Sequence, residues 1–101
     1  MDPVVERVVR RIAESVKPDK IILFGSRASG KVREDSDIDL LVIYSGPTPR
    51  RELQIGIHKL FRHPDFSMDV FVMTAQEFEA QKTIANTLAR EVAERGVVCY
   101  G

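Results

Sequence analysis

The hydrophobic positions at the start of the chain predict a helix followed by a buried strand. Apolar residues recur at helical spacing at Val4, Val5, Val8, Val9, Ile12 and Val16. Asp2 followed by Pro3 is typical of a helix start, and Lys17-Pro18 ends the pattern. The next segment, Lys20–Phe24, is apolar at four successive positions, which is typical of a strand buried on both faces.

Two further apolar runs of strand length are separated by a helical pattern. They predict strands at Asp37–Tyr44 and Ser67–Met73, with a helix that opens at Thr48-Pro49 and runs to about Arg62. The side chains expected to face inward from this helix are Leu53, Ile57, Leu60 and Phe61. A helical crossover makes the second and third strands parallel neighbours, whereas the shorter connection before them favours an antiparallel first pair.

The last third of the chain predicts more helix and a short final strand. Thr74 followed by Glu77 is a capping-box pattern that begins a helix, and a break is expected near Gln81. Helical spacing then resumes through Ile84, Leu88 and Val92, which we interpret as core rather than as a partner-binding stripe. Gly96 is a plausible C-cap, and Val97–Tyr100 is the last strand.

Size and composition predict one globular domain over residues 1–101. The chain has 44% hydrophobic and 30% charged residues, and 101 residues leave no length for a second core. Together with the order of elements, this predicts an α/β (α+β) fold in which helices flank a small mixed β-sheet. Fifteen basic and fifteen acidic residues give a net charge of zero, so nothing signals strong affinity for nucleic acid.

Cysteine content and hydropathy indicate a cytoplasmic setting. The single cysteine, Cys99, has no partner for an internal disulfide. Charged residues interrupt the N-terminal apolar pattern, and no apolar run approaches the roughly 20 residues of a membrane span. We therefore expect no membrane partner.

Three aspartates near predicted strand ends are the candidate metal ligands. Asp37 and Asp39 lie on one face of the second strand, roughly 6.6 Å apart along it. Asp69, on the third strand, completes a cluster if the two strands are neighbours at about 4.8 Å. Adjacent carboxylates repel each other unless a cation lies between them, and their oxygens suit Mg²⁺ together with substrate phosphates.

The turn after the first strand is the candidate phosphate site. Gly25 allows backbone N–H groups to approach phosphate oxygens, and Ser26 adds a hydroxyl donor. Arg27 offers a planar fork of N–H donors, and Gly30 permits another tight turn. These features predict nucleotide binding beside the carboxylates.

Each feature has a purely structural interpretation when it is taken alone. Gly25-Ser26 is then an ordinary turn, and Asp37 caps a strand or marks its edge. Asp39 is then a charge at a hairpin mouth, and Asp69 protects a sheet edge against aggregation. Their combination favours a site of phosphoryl or nucleotidyl transfer.

The spacing of these residues resembles a known signature. Gly25-Ser26, ten further residues and then Asp37-Ile38-Asp39 resemble the motif of the nucleotidyltransferase superfamily typified by DNA polymerase beta. The wider strings 23–30 and 36–40 resemble one branch, the minimal nucleotidyltransferases. At Ser29 the family more usually has arginine, and Lys31 and Arg33 are the candidates to replace that basic contact.

The resemblance implies an enzymatic antitoxin. Related minimal nucleotidyltransferases act with a helical toxin of the HEPN class, transferring AMP from ATP to a tyrosine hydroxyl. The implied metal ligands are Asp37, Asp39 and Asp69, for two Mg²⁺ ions, and Asp69 also helps to activate the acceptor oxygen. Gly25 and Ser26 would hold the triphosphate.

Two other functions remain open at this stage. The protein could neutralise a toxin by binding alone, with nucleotide binding vestigial, or it could modify a small molecule. The small-molecule function is weaker, because such enzymes generally carry an extra domain to enclose the acceptor. Either a homo-oligomer or a hetero-oligomer with the toxin is compatible with the sequence.

Overall fold

The structure is a computed structural model that describes residues 2–28, 37–62 and 66–101. Ser29, Gly30, Lys31 and Arg33 lie outside the described residues, so the predictions made for them stay predictions. The elements are α1 (Pro3–Val16), β1 (Lys20–Phe24), β2 (Ile38–Ile43), α2 (Arg50–Lys59), β3 (Met68–Met73), α3 (Ala75–Gln81), α4 (Leu88–Arg95) and β4 (Val97–Tyr100).

The four strands form one mixed sheet in the order β3-β2-β1-β4. β1 is antiparallel to both of its neighbours, while β2 and β3 are parallel. The predicted α/β fold with a mixed sheet is confirmed, including the parallel pair joined by a helical crossover. This pairing matters for function because it aligns polar positions of β2 and β3 on one face of the sheet.

One face of the sheet is covered by α1 and α2. Asp2 begins α1 as predicted, because its carboxylate accepts a hydrogen bond of 2.9 Å from the Val4 N–H. The helix ends at Val16, and Lys17 adopts a left-handed conformation after it. The buried residues of this larger core are Val5, Val8, Val9, Ile12, Ile21, Leu23, Ile38, Leu40, Val42, Leu53, Ile57, Val70 and Val72.

The opposite face carries a smaller core beneath α4. Its buried members are Ile22, Phe24, Leu41, Ile43 and Val92. On the β3 side the described residues leave this face open, since Phe71 keeps 41% of its surface exposed. The open part of the face therefore lies beside the β2–β3 pair. Across the described residues, no helix has the length and apolar content needed to cross a membrane.

The helix α2 is shorter than the pattern predicted. It ends at Lys59 rather than near Arg62, because the Leu60 N–H turns back to the Ile57 carbonyl at 3.1 Å. Leu53 and Ile57 are buried as expected, and Leu60 and Phe61 pack partly buried against the same core. The strands β2 and β3 likewise lack the outermost residues that were predicted for them.

The stripe through Ile84 is the main correction to the predicted core. Ile84 lies in the turn between α3 and α4 with 52% of its surface exposed, while Val92 is buried and Leu88 partly so. Asn86 has a positive φ of 65°, and the Thr87 hydroxyl caps α4 by accepting from the Arg90 N–H at 3.1 Å. The break predicted near Gln81 is confirmed, since α3 ends there, but α4 begins only at Leu88 and so excludes Ile84.

Candidate active site

Gly25 ends β1 in a conformation that its neighbours require. Its φ is +77°, which side-chain-bearing residues rarely adopt. A Cβ at this position would overlap the Asp39 Oδ2 atom and lie 3.3 Å from the Asp39 Cγ. Only glycine therefore lets the turn backbone lie directly against the Asp39 carboxylate.

The pairing of strands places two of the predicted aspartates side by side. Asp39 is opposite Phe24 in the β1–β2 pair and opposite Asp69 in the β2–β3 pair. Neighbouring strands are about 4.8 Å apart, so both side chains emerge from the same face as neighbours. Gly25, directly after the end of β1, consequently lies in a row with Asp39 of β2 and Asp69 of β3.

Burial and neighbouring negative charges change the pKa of Asp39. Its pKa is raised, first by burial and then by the negative charges of Asp69 and Asp37. A hydrogen-bonding interaction with the Asp69 side chain and the charge of Glu91 raise it further. The carboxylates are thus close enough for each to disfavour ionisation of Asp39, as anions do when no cation separates them.

Asp37 lies immediately before β2 and is exposed. The next residue, Ile38, donates its N–H to the Ser67 carbonyl at 2.8 Å, which anchors the start of β2 to β3. Alternation along the strand places Asp37 on the same face as Asp39. The backbone thus brings Asp37, the remaining predicted carboxylate, to the edge of the row.

The donor set suits a hard divalent cation. Within residues 2–28, 37–62 and 66–101, no three acidic, histidine or cysteine side chains stand in a metal-holding arrangement. The Asp39–Asp69 pair nevertheless supplies adjacent carboxylate oxygens whose mutual repulsion a cation relieves, and oxygen ligands are those that Mg²⁺ prefers. The residues therefore fit such an ion, with Asp37 as the third candidate ligand.

Arg27 is joined to the N-terminus of α1. Its guanidinium pairs with the Asp2 carboxylate, and only 6% of the Arg27 side chain is exposed. Because Asp2 also caps α1, this ion pair ties the turn after β1 to the first helix. A phosphate contact by Arg27 stays a prediction, as does the one by Ser26, which is exposed beside it.

Two residues of this site were not predicted from the sequence. Phe71 follows Asp69 by two positions, so it lies on the same face of β3, with its ring centroid 5.8 Å from that of Phe24. Strand alternation was the signal that could have identified it. The charge of Glu91 acts on Asp39 only because α4 packs over this face of the sheet. No local sequence pattern indicates this proximity.

Comparison with known families identifies the class. Residues 5–99 match the model of the nucleotidyltransferase domain family. The chain therefore belongs to the nucleotidyltransferase domain family, as the motif and the fold indicate. No curated protein matches the chain in sequence.

Solved structures share the fold at low sequence identity. One is a toxin–antitoxin crystal structure with AMP-PNP, with a TM-score of 0.64 and 22% identity over 95% of this chain and 73% of that one. Another is a protein from Sulfolobus solfataricus described as a nucleotidyltransferase, with a TM-score of 0.59 and 20% identity. That alignment covers 94% of this chain and 75% of the other.

Proposed function

We propose that this protein is a Mg²⁺-dependent nucleotidyltransferase that transfers AMP from ATP to a tyrosine hydroxyl of a HEPN-family toxin, and so acts as the antitoxin. The observation that carries the proposal is the row formed by Gly25, Asp39 and Asp69. It combines a close backbone approach, suited to phosphate, with paired carboxylates. Membership of the nucleotidyltransferase family gives this row its expected chemistry.

In this mechanism the residues of the row have separate tasks. The backbone and hydroxyl donors of Gly25-Ser26 hold the triphosphate, which leaves the α-phosphate beside Asp39. Asp69 orients the acceptor hydroxyl and takes up its proton. The acceptor oxygen forms a bond to the α-phosphorus, the bond from that phosphorus to the bridging oxygen breaks, and pyrophosphate leaves.

The metal would be held by Asp37, Asp39 and Asp69. When bound, Mg²⁺ stabilises the negative charge that develops on the phosphate oxygens. The raised pKa of Asp39 supports this assignment, because carboxylates crowded together are stabilised by a cation and not by each other.

The structural relative supports a protein partner. That relative is a toxin–antitoxin with AMP-PNP, an ATP analogue, and it shares the fold over 95% of this chain. Among the described residues, the sheet face that carries Asp39 and Asp69 is open on the β3 side, where Asp69 and Phe71 are exposed. Such an open face suits an acceptor group that a second protein presents.

The test is an adduct measurement. The protein is incubated with ATP, Mg²⁺ and the protein encoded by the adjacent gene, and the intact mass of that neighbour is measured. We expect a gain of one or more AMP units that peptide mapping assigns to tyrosine. Asp39→Asn and EDTA should each abolish the gain, while Gly56→Ala, on the exposed side of α2, should not.

The opposite results have clear meanings. A neighbour that forms a stable complex but gains no mass would overturn transfer and favour neutralisation by binding alone. An adduct that persists in folded Asp39→Asn would refute the metal role of the row.

A further inference from the structure

Phe71 is a large aromatic side chain exposed beside the carboxylate row. It keeps 41% of its surface exposed although its neighbours on β3, Val70 and Val72, are buried on the other face. Its ring contacts the buried ring of Phe24, with centroids 5.8 Å apart and planes inclined at 51°. Phe24 in turn lies opposite Asp39 in the antiparallel pairing of β1 with β2. One side of the exposed ring therefore packs against a buried ring of the site's own sheet face, which limits the positions that it can adopt.

The order of residues across the sheet indicates which substrate this ring meets. Gly25 follows β1, Asp39 lies on the central β2, and Asp69 lies on β3. In nucleotidyl transfer the attacking and leaving oxygens lie on opposite sides of the phosphorus. If pyrophosphate leaves on the Gly25 side, the acceptor arrives on the β3 side. Phe71 is on that side, two positions along the strand from Asp69.

The chemistry of the ring selects among acceptors. A tyrosine oxygen is bonded directly to an aromatic ring, so a tyrosine hydroxyl at Asp69 brings its ring close behind it. Aromatic rings attract each other at centroid separations of 4.5–7 Å, beyond the effect of their buried area. A serine or threonine hydroxyl has no ring and would gain nothing from Phe71.

We propose that Phe71 is a specificity contact for the acceptor, which packs its exposed ring against the ring of the incoming tyrosine. The proposal rests on the proposed transfer reaction and adds a residue that selects phenolic over aliphatic hydroxyls. Phe71 takes no part in the chemistry itself. Its removal should weaken acceptor binding and leave nucleotide binding intact.

The experiment uses the whole protein with N-acetyl-L-tyrosinamide and N-acetyl-L-serinamide as acceptors. Transfer of AMP is followed by mass spectrometry with ATP and Mg²⁺, and binding of AMP-PNP is measured separately by calorimetry. The variants are Phe71→Ala, Phe71→Tyr, which keeps a ring, and Ile55→Ala. Ile55 is the matched control, because it is 45% exposed and lies on α2, against the other face of the sheet.

We expect Phe71→Ala to raise the KM of the tyrosine acceptor about 2- to 13-fold, the range that an aromatic pair supplies. The Kd of AMP-PNP and the smaller activity toward the serine acceptor should not change. Phe71→Tyr should restore the tyrosine KM, and Ile55→Ala should match the parent. Thermal unfolding of each variant checks that Phe71→Ala remains folded; if it does not, Phe71→Leu, which keeps a larger apolar side chain than alanine and removes the ring, replaces it.

Three outcomes would overturn the proposal. A weaker AMP-PNP affinity in Phe71→Ala would mean that the ring contacts the nucleobase. An unchanged tyrosine KM, or an equal loss for both acceptors, would make Phe71 an ordinary surface residue.

Failure of the proposed reaction is distinguishable from failure of this inference. If the parent protein transfers AMP to neither acceptor, N-acetyl-L-tyrosinamide is titrated by NMR into the protein bound to Mg²⁺ and AMP-PNP. Saturable binding that Phe71→Ala weakens supports the contact even though the reaction is refuted. Absence of saturable binding overturns the contact.

Discussion

Replacing Gly25 by alanine tests the close approach on which the site depends. The first cost is conformational, because Gly25 has a φ of +77° and a left-handed conformation costs an alanine about 1–2 kcal/mol. The second is steric, because the new Cβ overlaps Asp39 Oδ2. Forced side-chain shifts of this kind cost about 1–3 kcal/mol, and a terminal carboxylate that can rotate lies toward the low end. We expect a total loss of about 2–4 kcal/mol of unfolding free energy.

The two costs can be separated in an Asp39→Ala background. There the overlapping oxygen and its Cγ are gone, and the nearest remaining Asp39 atom is the Cβ at an ordinary 3.5 Å. Gly25→Ala should then cost only its conformational part, about 1–2 kcal/mol. The double-mutant cycle therefore predicts a coupling of about 1–2 kcal/mol between positions 25 and 39.

The assay is urea unfolding of the four proteins in the absence of metal, with AMP transfer measured on the single variants. Gly56→Ala is the control, because nothing lies within 4 Å of its added Cβ and it is interior to α2. It should stabilise the protein by about 0.5–1 kcal/mol. Gly25→Ala should also lose transfer, since it displaces the Asp39 carboxylate. An equal cost of Gly25→Ala in both backgrounds would refute the close approach.

Three other substitutions have definite expected outcomes. The pKa of Asp39 is raised in the folded state above its ordinary value of 3.8. Without metal, the protonated Asp39 side chain therefore stabilises the fold at low pH, and this contribution to the free energy of unfolding is lost as the pH rises through the raised pKa. Asp39→Asn should therefore be more stable than the parent at pH 7 without metal. Unfolding of both proteins across a pH series checks this, and the absence of such a gain would mean that burial and the neighbouring carboxylates do not destabilise the ionised Asp39. Gly96→Ala places a Cβ 2.5 Å from the Val92 carbonyl oxygen and 2.7 Å from the Ile22 Cγ2, so we expect a loss of about 1–3 kcal/mol in urea unfolding; an unchanged midpoint would contradict this close packing at the end of α4. Thr74→Ala removes the hydroxyl that accepts from the Glu77 N–H at 3.0 Å and should cost about 1 kcal/mol, with parental stability as the contrary result.

Local interactions explain why the sequence predicted most elements well. The strand Lys20–Phe24 and the capping box at Thr74 were located correctly, because apolar runs and caps act within a few residues. The end of α3 at Gln81 was also located correctly, but the start of α4 at Leu88 was not, since the same apolar spacing continues across the turn at Ile84. The helical spacing of apolar residues does not by itself show where a helix ends.

The sequence by itself determined the types of element, their order, the family and the three aspartates as candidate ligands. The parallel pairing of β2 with β3 was predicted from the helical crossover, and the structure confirms it. Roles for Asp37, Asp39 and Asp69 in metal binding stay predictions until they are measured.

Only the tertiary structure decided how residues far apart in the chain meet. It set Gly25 against the Asp39 carboxylate, joined Arg27 to Asp2, and brought Glu91 and Phe71 to the carboxylate face. These contacts depend on strand register and on how helices pack over the sheet. Such features arise from the balance of many weak contacts across the whole core, which no short segment of sequence records.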